Sequence, residues 1–443
     1  MAAIQLSDHF TYKKLMRFSL PTILMMVFSS VYGVVDGYFV SNFGGKAPFA
    51  AVNFIYPYIM ILAGFGFMIG TGGCALIGKT LGEDKPKQAN QYFSMLLYVT
   101  LAVGLALAAL CFFTVRPVAA VLGADADMLD YCTLYGKISA AGILFLMLQF
   151  EFQSFFVLAE KPQLGLYFTL GAGVMNMFLD WLLVGVCGQG IAGAAIATVA
   201  SQVVGGGFPI VYFARKNSSL LRMGRPYFSL RPLLKTLGNG SSEFVSNISM
   251  SVVGMLYNVQ LMKYAGENGV AAYGVLMYVN FVFISMFIGY SVGVAPVISF
   301  HFGAGNTREL RSLLRKSLRV IAVMALLMLL AGEGLAGPLS KLFVGYDSEL
   351  LKMTVRAFVI FSFSFPAAAL PIFGSSFFTA LNDGMTSAVI SFLRTAVFQV
   401  AAVLLLPLWL GIDGIWYSVI AAELIAAALT VFFWIKKQPQ YGY

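Results

Sequence analysis

Six acids stand inside long apolar stretches of this 443-residue chain: Asp36, Glu151, Asp180, Glu243, Glu333 and Glu423. A carboxylate within the hydrocarbon of a bilayer costs ~2.5–3.5 kcal/mol on insertion scales, so each acid needs a physical reason to be there. Asp36 lies in "VYGVVDGYFV" (31–40), with Tyr32 one helical turn before it. Asp180 follows Asn176 by one turn, and Gln202 follows Thr198 in the same way. Two carboxylates, an amide oxygen and a hydroxyl are hard oxygen ligands. Together they suit a Na⁺ ion, or a proton shared between two acids that cannot both be ionised in a buried site. Glu151, flanked by Gln149 and Gln153, reads equally as cavity lining or as a packed hydrogen-bond network. Glu243 follows "GNGSS" and reads as a helix N-terminal acid. Glu333 and Glu423 read as structural or interfacial. Arg394, ten residues into an apolar run, needs a partner and is expected to line a cavity. His9 and His301 are isolated and the four cysteines form no CxxC, which leaves no resident metal site or disulfide framework to propose.

The elements that carry these residues are membrane helices. Charged residues make up only 11% of the chain and mean hydropathy is +0.84, against about a quarter charged for soluble domains. Apolar stretches recur at 18–40, 50–77, 91–113, 134–158, 163–186, 190–213, 239–262, 271–300, 317–337, 355–380, 385–408 and 413–435. Each is long enough to cross a bilayer as a helix of ~20 residues, and helices satisfy their own backbone at that depth. Turn signals separate them: "NFGGKAP" (42–48), "LGEDKPKQ" (81–88), "AEKP" (159–162), "VCGQG" (186–190) and "LND" (381–383). The fold class is therefore an all-α polytopic membrane protein of twelve transmembrane helices.

The net charge of +9 does not point to nucleic acid, because Lys and Arg lie between the apolar runs and form no single patch. With the N-terminus in the cytoplasm, twenty of them fall on the inner side and seven on the outer, among them Lys46. That bias places both termini in the cytoplasm. The polar, basic start "MAAIQLSDHFTYKKLMR" leads straight into an apolar segment and reads as an uncleaved first helix, and the chain is expected in the inner (plasma) membrane. Depth then follows from 1.5 Å per residue. Asp36 lies roughly 6 Å, Asp180 roughly 9 Å and Thr198 roughly 12 Å below the outer ends of their helices, in one layer.

The chain also repeats itself. "TLGEDKPKQA" (80–89) aligns with "HFGAGNTREL" (301–310), "GIAGAAIATVA" (190–200) with "GIDGIWYSVIA" (411–421), and Ala50-Ala51 with Ala271-Ala272, all at an offset of 221. Two six-helix bundles of like orientation are expected, 1–213 and 239–443, joined by a basic cytoplasmic linker at 214–238 and related by an axis along the membrane normal. Such pairs enclose a central cavity whose access alternates, which points to a secondary transporter. No Walker A motif is present to couple ATP. An enzyme would need clustered histidines or acids at one face, and none is written here.

At these residues the chain resembles the MATE (multidrug and toxic compound extrusion) family, over nearly its whole length. The resemblance rests on "PTILMMVFSSVYGVVDGYFVSNFGGKAPFAAVNFIYP" (21–57), "LIGKTLGEDKPKQA" (76–89), "GVMNMFLDWLL" (173–183), "GIAGAAIATVASQ" (190–202) and "APVISFHFGAGN" (295–306). It is closest to the DNA-damage-inducible-F-like branch. The resemblance implies a protonation or cation site at Asp36, Asn176, Asp180 and Thr198, with Pro21 as the kink of the first helix. It implies cation-coupled antiport of organic cations or amphipathic drugs by alternating access, with no cofactor beyond the coupling H⁺ or Na⁺. Tyr32, Glu151, Gln153, Gln202 and Arg394 are expected along the substrate cavity. The NorM-like branch has acids on its seventh and tenth helices; here Met250 takes the former place and 355–380 has no acid. Coupling is thus expected in the N-terminal half. A flippase for lipid-linked precursors, from the same superfamily, is the alternative. The protein is expected to work as a monomer in the lipid bilayer.

Overall fold

The computed structural model describes residues 4–40, 43 and 46–443, with Lys46 and Ala47 described by backbone alone. Residues 42, 44 and 45 of the turn at 42–48, and the side chains of Lys46 and Ala47, lie outside the described residues. Among these residues there is helix and no strand. We number the spans α1 (Tyr12–Phe39), α2 (Lys46–Gly82), α3 (Pro86–Val121), α4 (Ala126–Ala140 and Ile143–Leu158, bent by 57°), α5 (Pro162–Val186) and α6 (Gly190–Ala214). The second half has α7 (230–265), α8 (267–303), α9 (Thr307–Val344), α10 (Ser348–Ser362 and Ser364–Ala380, bent by 46°), α11 (Gly384–Leu410) and α12 (Ile412–Tyr441). Helices α7 and α8 run together over Leu230–Gly303, 74 residues. A single helix of that length would reach roughly 110 Å, several times the bilayer core. Gly266, at φ 62° and ψ −152°, breaks it into two spans, a backbone shape that glycine adopts without steric cost. This gives the twelve helices expected.

Helix α7 begins at Leu230, nine residues earlier than the expected span. Only Arg215–Ser229 lies outside helix in the linker region. The leucine-rich "LRPLLKTLG" carries Pro232 in its first turn, where a proline costs no hydrogen bond. Elsewhere the turn signals act as read. Pro86 and Pro162 open α3 and α5, and Asp383 caps α11; Asp125, Asn306 and Asp347, which the sequence reading did not mark, cap the helices they precede in the same way, by accepting backbone N–H bonds.

The internal repeat reappears in the backbone. Asp84 and Gly305 both take left-handed conformations (φ 58° and 66°), as do Gly190 and Gly411 (φ 54° and 59°), each pair 221 residues apart. The two halves meet through reciprocal contacts. A β-carbon on Gly82 of α2 would collide with the Phe300 carbonyl of α8, and one on Gly303 of α8 would collide with the Lys79 carbonyl of α2. Gly72 abuts Gly240, and its repeat mate Gly293 abuts Ser19, the mate of Gly240. Residue i of one half meeting residue j of the other, and j's mate meeting i's, is the signature of a two-fold interface. Glycine on both sides lets backbones touch. These contacts close the two halves against each other at the end of the bundle that carries the termini and the basic loops.

Candidate functional site

The site in the first half is built by four helices. Helix α1 brings Tyr32 and Asp36 on one face. Helix α5 packs tightly on it at Gly173, where any side chain would strike Phe28 and Tyr32. One turn later Asn176 and then Asp180 reach the same level. At Asp180 the helix widens into a π-turn, Asp180–Val186. Helix α6 does the same directly after Gln202, over Val203–Gly207. Such turns leave the backbone ladder locally wider and recur at functional sites. Helix α4 bends at residues 141–142, and Gln202 of α6 sits against Gly142 at that bend. Gly205 of α6 packs on Gln149 of α4, whose amide nitrogen donates to the Tyr32 hydroxyl at 3.5 Å.

Asp36 faces Asp180 and Asn176 directly. Asp180 and Asn176 are 0% and 1% exposed. Asp36 Oδ1, both Asp180 oxygens, Asn176 Oδ1 and Thr198 Oγ1 are buried without a hydrogen-bond partner among the described residues. No ion pair reaches either acid among those residues. A buried acceptor without a donor costs ~1–3 kcal/mol, more when charged. Four of these oxygens, on Asp36, Asn176 and Asp180 of two neighbouring helices, make a donor set that fits a small hard cation or a proton. The residues grouped by depth in the sequence are thus brought to one place for Asp36, Asn176 and Asp180, and Thr198 adds a buried unpaired hydroxyl on the adjoining helix. No group of three or more His, Cys, Asp and Glu residues that could hold a metal occurs among the described residues.

The structure also adds residues that the sequence did not single out. Tyr56 of α2 and Tyr135 of α4 lie near enough to Asp36 to feel its charge, and Gln149 holds Tyr32. With 21 tyrosines in the chain, nothing local marked these two. Gln153 is buried with its carbonyl oxygen unpaired, as is that of the half-buried Gln202. Glu151 points elsewhere: it has no exposed surface, packs on Gly70 of α2 and faces Thr100 of α3. Pro21 is buried inside α1, which runs unbroken from Tyr12 to Phe39.

Arg394 finds its partner in Glu423, the acid read as structural. Its Nε and Nη2 donate to Glu423 at 2.8–3.0 Å, and Gln399 adds a bond of 3.3 Å. A π-turn over Leu393–Gln399 sets Arg394 and Gln399 on one face toward α12. The repeat makes Glu423 the mate of Gln202 and Tyr257 the mate of Asp36. Tyr257 donates to or accepts from Ser418 at 2.7 Å, in a tightly packed interior. At these matching positions the second half pairs its polar groups where the first has unpaired oxygens.

The MatE family model matches residues 21–182 and again 244–405. The chain belongs to the MatE family. These are transporters, not enzymes. "Multidrug export protein MepA" of Staphylococcus haemolyticus is 25% identical over 430 residues, covering 95% of this chain and 92% of that protein. Among solved structures, a MATE in the straight conformation matches with a TM-score of 0.93 at 20% identity, covering 100% of this chain and 99% of that one. The outward-facing conformation of a multidrug resistance MATE family transporter of the MOP superfamily matches with a TM-score of 0.89 at 21% identity, with the same coverage. The twelve-helix MATE fold is thus the fold of this chain.

Proposed function

We propose that this MATE protein is a secondary active multidrug exporter that exchanges amphipathic or cationic small molecules for H⁺ or Na⁺ by alternating access. The observation that carries this reading is the set of unpaired buried oxygens at Asp36, Asn176, Asp180 and Thr198. Two facing carboxyls with no basic partner repel each other when both are ionised, so an entering cation is held strongly. Binding there draws α1 and α5 together. Because α1 also lies along α8 at Ser19 and Gly293, a shift of α1 reaches the contact between the two halves. Pro21 lies within the stretch of α1 that meets α8, from Ser19 to Ile23, and its missing backbone N–H makes that turn the easiest to bend. Tyr32, Gln153 and Gln202 line the substrate side of this site. Both termini are cytoplasmic on the charge bias, so the closed end is the inner one. The relatives named multidrug export proteins support export as the direction. A flippase for anionic lipid precursors would need free positive charge in the cavity, and Arg394 is neutralised by Glu423.

The test is efflux of ethidium from proteoliposomes with pH and Na⁺ gradients imposed separately. One gradient drives transport in the wild type, and Asp36→Asn abolishes it while the protein stays folded. Normal gradient-driven efflux by that variant overturns the coupling site.

A further inference from the structure

The segment joining the two halves carries a surface that the transport reading does not use. Between residues 214 and 235 there are six basic residues and no acid. All six (Arg215, Lys216, Arg222, Arg225, Arg231 and Lys235) are exposed. Among them stand Tyr227, Phe228 and Leu230, 57%, 65% and 69% exposed. Exposed aromatics interleaved with cations are the pattern of a segment lying in a membrane interface.

The backbone that presents these side chains is fixed. The Arg222 N–H donates to Asn90 Oδ1 at 2.6 Å, the Met223 N–H to the Phe213 carbonyl at 2.9 Å and the Gly224 N–H to Ser94 Oγ at 2.8 Å. Leu221 is fully buried. At the start of the segment, between α5 and α6, lies a groove of about 610 Å³. Phe168, Phe208, Val211 and Tyr212 form its wall, and Arg215 and Lys216 stand at its mouth. The wall is braced from behind by Phe156, stacked on Phe168 and packed on Tyr212. Neither cation at the mouth has a side-chain hydrogen bond or ion pair among the described residues.

We infer that this groove binds an anionic phospholipid. Arg215 and Lys216 pair with the head-group phosphate, and an acyl chain lies along the aromatic and aliphatic wall. A free phosphate would use the cations and leave the wall wet. A zwitterionic lipid would use the wall and bring a choline against two cations. Only an anionic lipid satisfies both parts of the groove, at the level where head groups sit. The lipid would brace the end of α6, the helix that carries Thr198 and Gln202.

The experiment uses the full-length protein purified in detergent, read by native mass spectrometry and thermal melting. Phosphatidylglycerol and phosphatidylcholine of equal chain length are added separately, and glycerol phosphate is the soluble anion. Phosphatidylglycerol is retained and raises the melting temperature; phosphatidylcholine and glycerol phosphate do neither. The double variant Arg215→Gln/Lys216→Gln weakens phosphatidylglycerol binding about 30-fold, the worth of two juxtamembrane cations. Arg308→Gln, an exposed charge on the same end of the other half, leaves it unchanged. Equal retention of the two lipids, full displacement by glycerol phosphate, or an Arg308→Gln effect as large as the double variant's overturns the inference.

Discussion

Replacing Gly82 or Gly303 by alanine drives a wedge into the seam between the two halves. The added methyl meets a backbone carbonyl, Phe300 for Gly82 and Lys79 for Gly303, and a carbonyl held in a helix cannot rotate away. Relief requires α2 and α8 to part by on the order of 1 Å, and overpacking of this kind costs ~1–3 kcal/mol. Alanine's better helix propensity stabilises the helix in every arrangement, so it cancels from the comparison. In a protein that alternates between two arrangements, the cost falls only on the one in which α2 and α8 touch. A difference of 1–3 kcal/mol shifts the populations about 5- to 150-fold toward the arrangement open at the basic end. The two glycines are repeat mates with mirrored contacts, so the single variants act alike. The double variant adds less than the sum, because the first separation already removes the second clash. Gly33→Ala, where nothing lies within 4 Å, is the control. The assay is a spin–spin distance measurement between labels at positions 87 and 308, on the basic ends of α3 and α9, in a cysteine-free background. Each variant gives a new, longer distance population that Gly33→Ala lacks. An unchanged distance distribution, or a loss of thermal stability with no second population, refutes the idea that this seam is a moving gate.

Three further outcomes follow. Arg394→Met alone leaves the buried Glu423 charge without its partner and destabilises the protein by ~3–5 kcal/mol, whereas the double variant Arg394→Met/Glu423→Leu recovers most of that in a detergent thermal melt. The N-terminal segment is tied to the second half by Glu309, which accepts from the Phe10 N–H at 3.0 Å and bonds His9 Nδ1 at 2.7 Å. Burial pushes the Glu309 carboxyl up, but the Phe10 N–H and His9 outweigh it and hold the carboxyl below the usual range. Since the folded value is depressed, this tie is at full strength above the unfolded value near pH ~4.3 and is lost as pH falls through the lower folded one. Hydrogen exchange at the Phe10 amide therefore stays protected at neutral pH and opens only in stronger acid, while Glu309→Gln opens it at every pH. Finally, Gly173→Val pushes α5 off α1 through Phe28 and Tyr32, and it abolishes gradient-driven efflux while the purified protein still elutes as a folded species.

The sequence by itself determined the class, the spans and the repeat. Those follow from length and polarity, because a bilayer demands ~20 apolar residues per crossing and rejects unpaired charge. It also determined which residues of α1, α5 and α6 share a depth, because rise per residue converts position directly into height. Depth says nothing of azimuth. Tertiary packing decided that Asp36 turns toward Asn176 and Asp180, and that Glu151, although deep, turns away toward α3. It decided that Tyr56 and Tyr135 come within reach of the Asp36 charge, since nothing local distinguishes them from the other tyrosines of the chain. Arg394 announced only its need for a partner. The choice of Glu423, 29 residues on, rests on a π-turn in α11 that rotates Arg394 and Gln399 onto one face, and no residue pattern marks that turn. The reciprocal glycine seam lies between the two. The repeat supplied the mates, but only the fold showed that they meet each other across the axis, because contact between distant segments depends on how twelve helices pack.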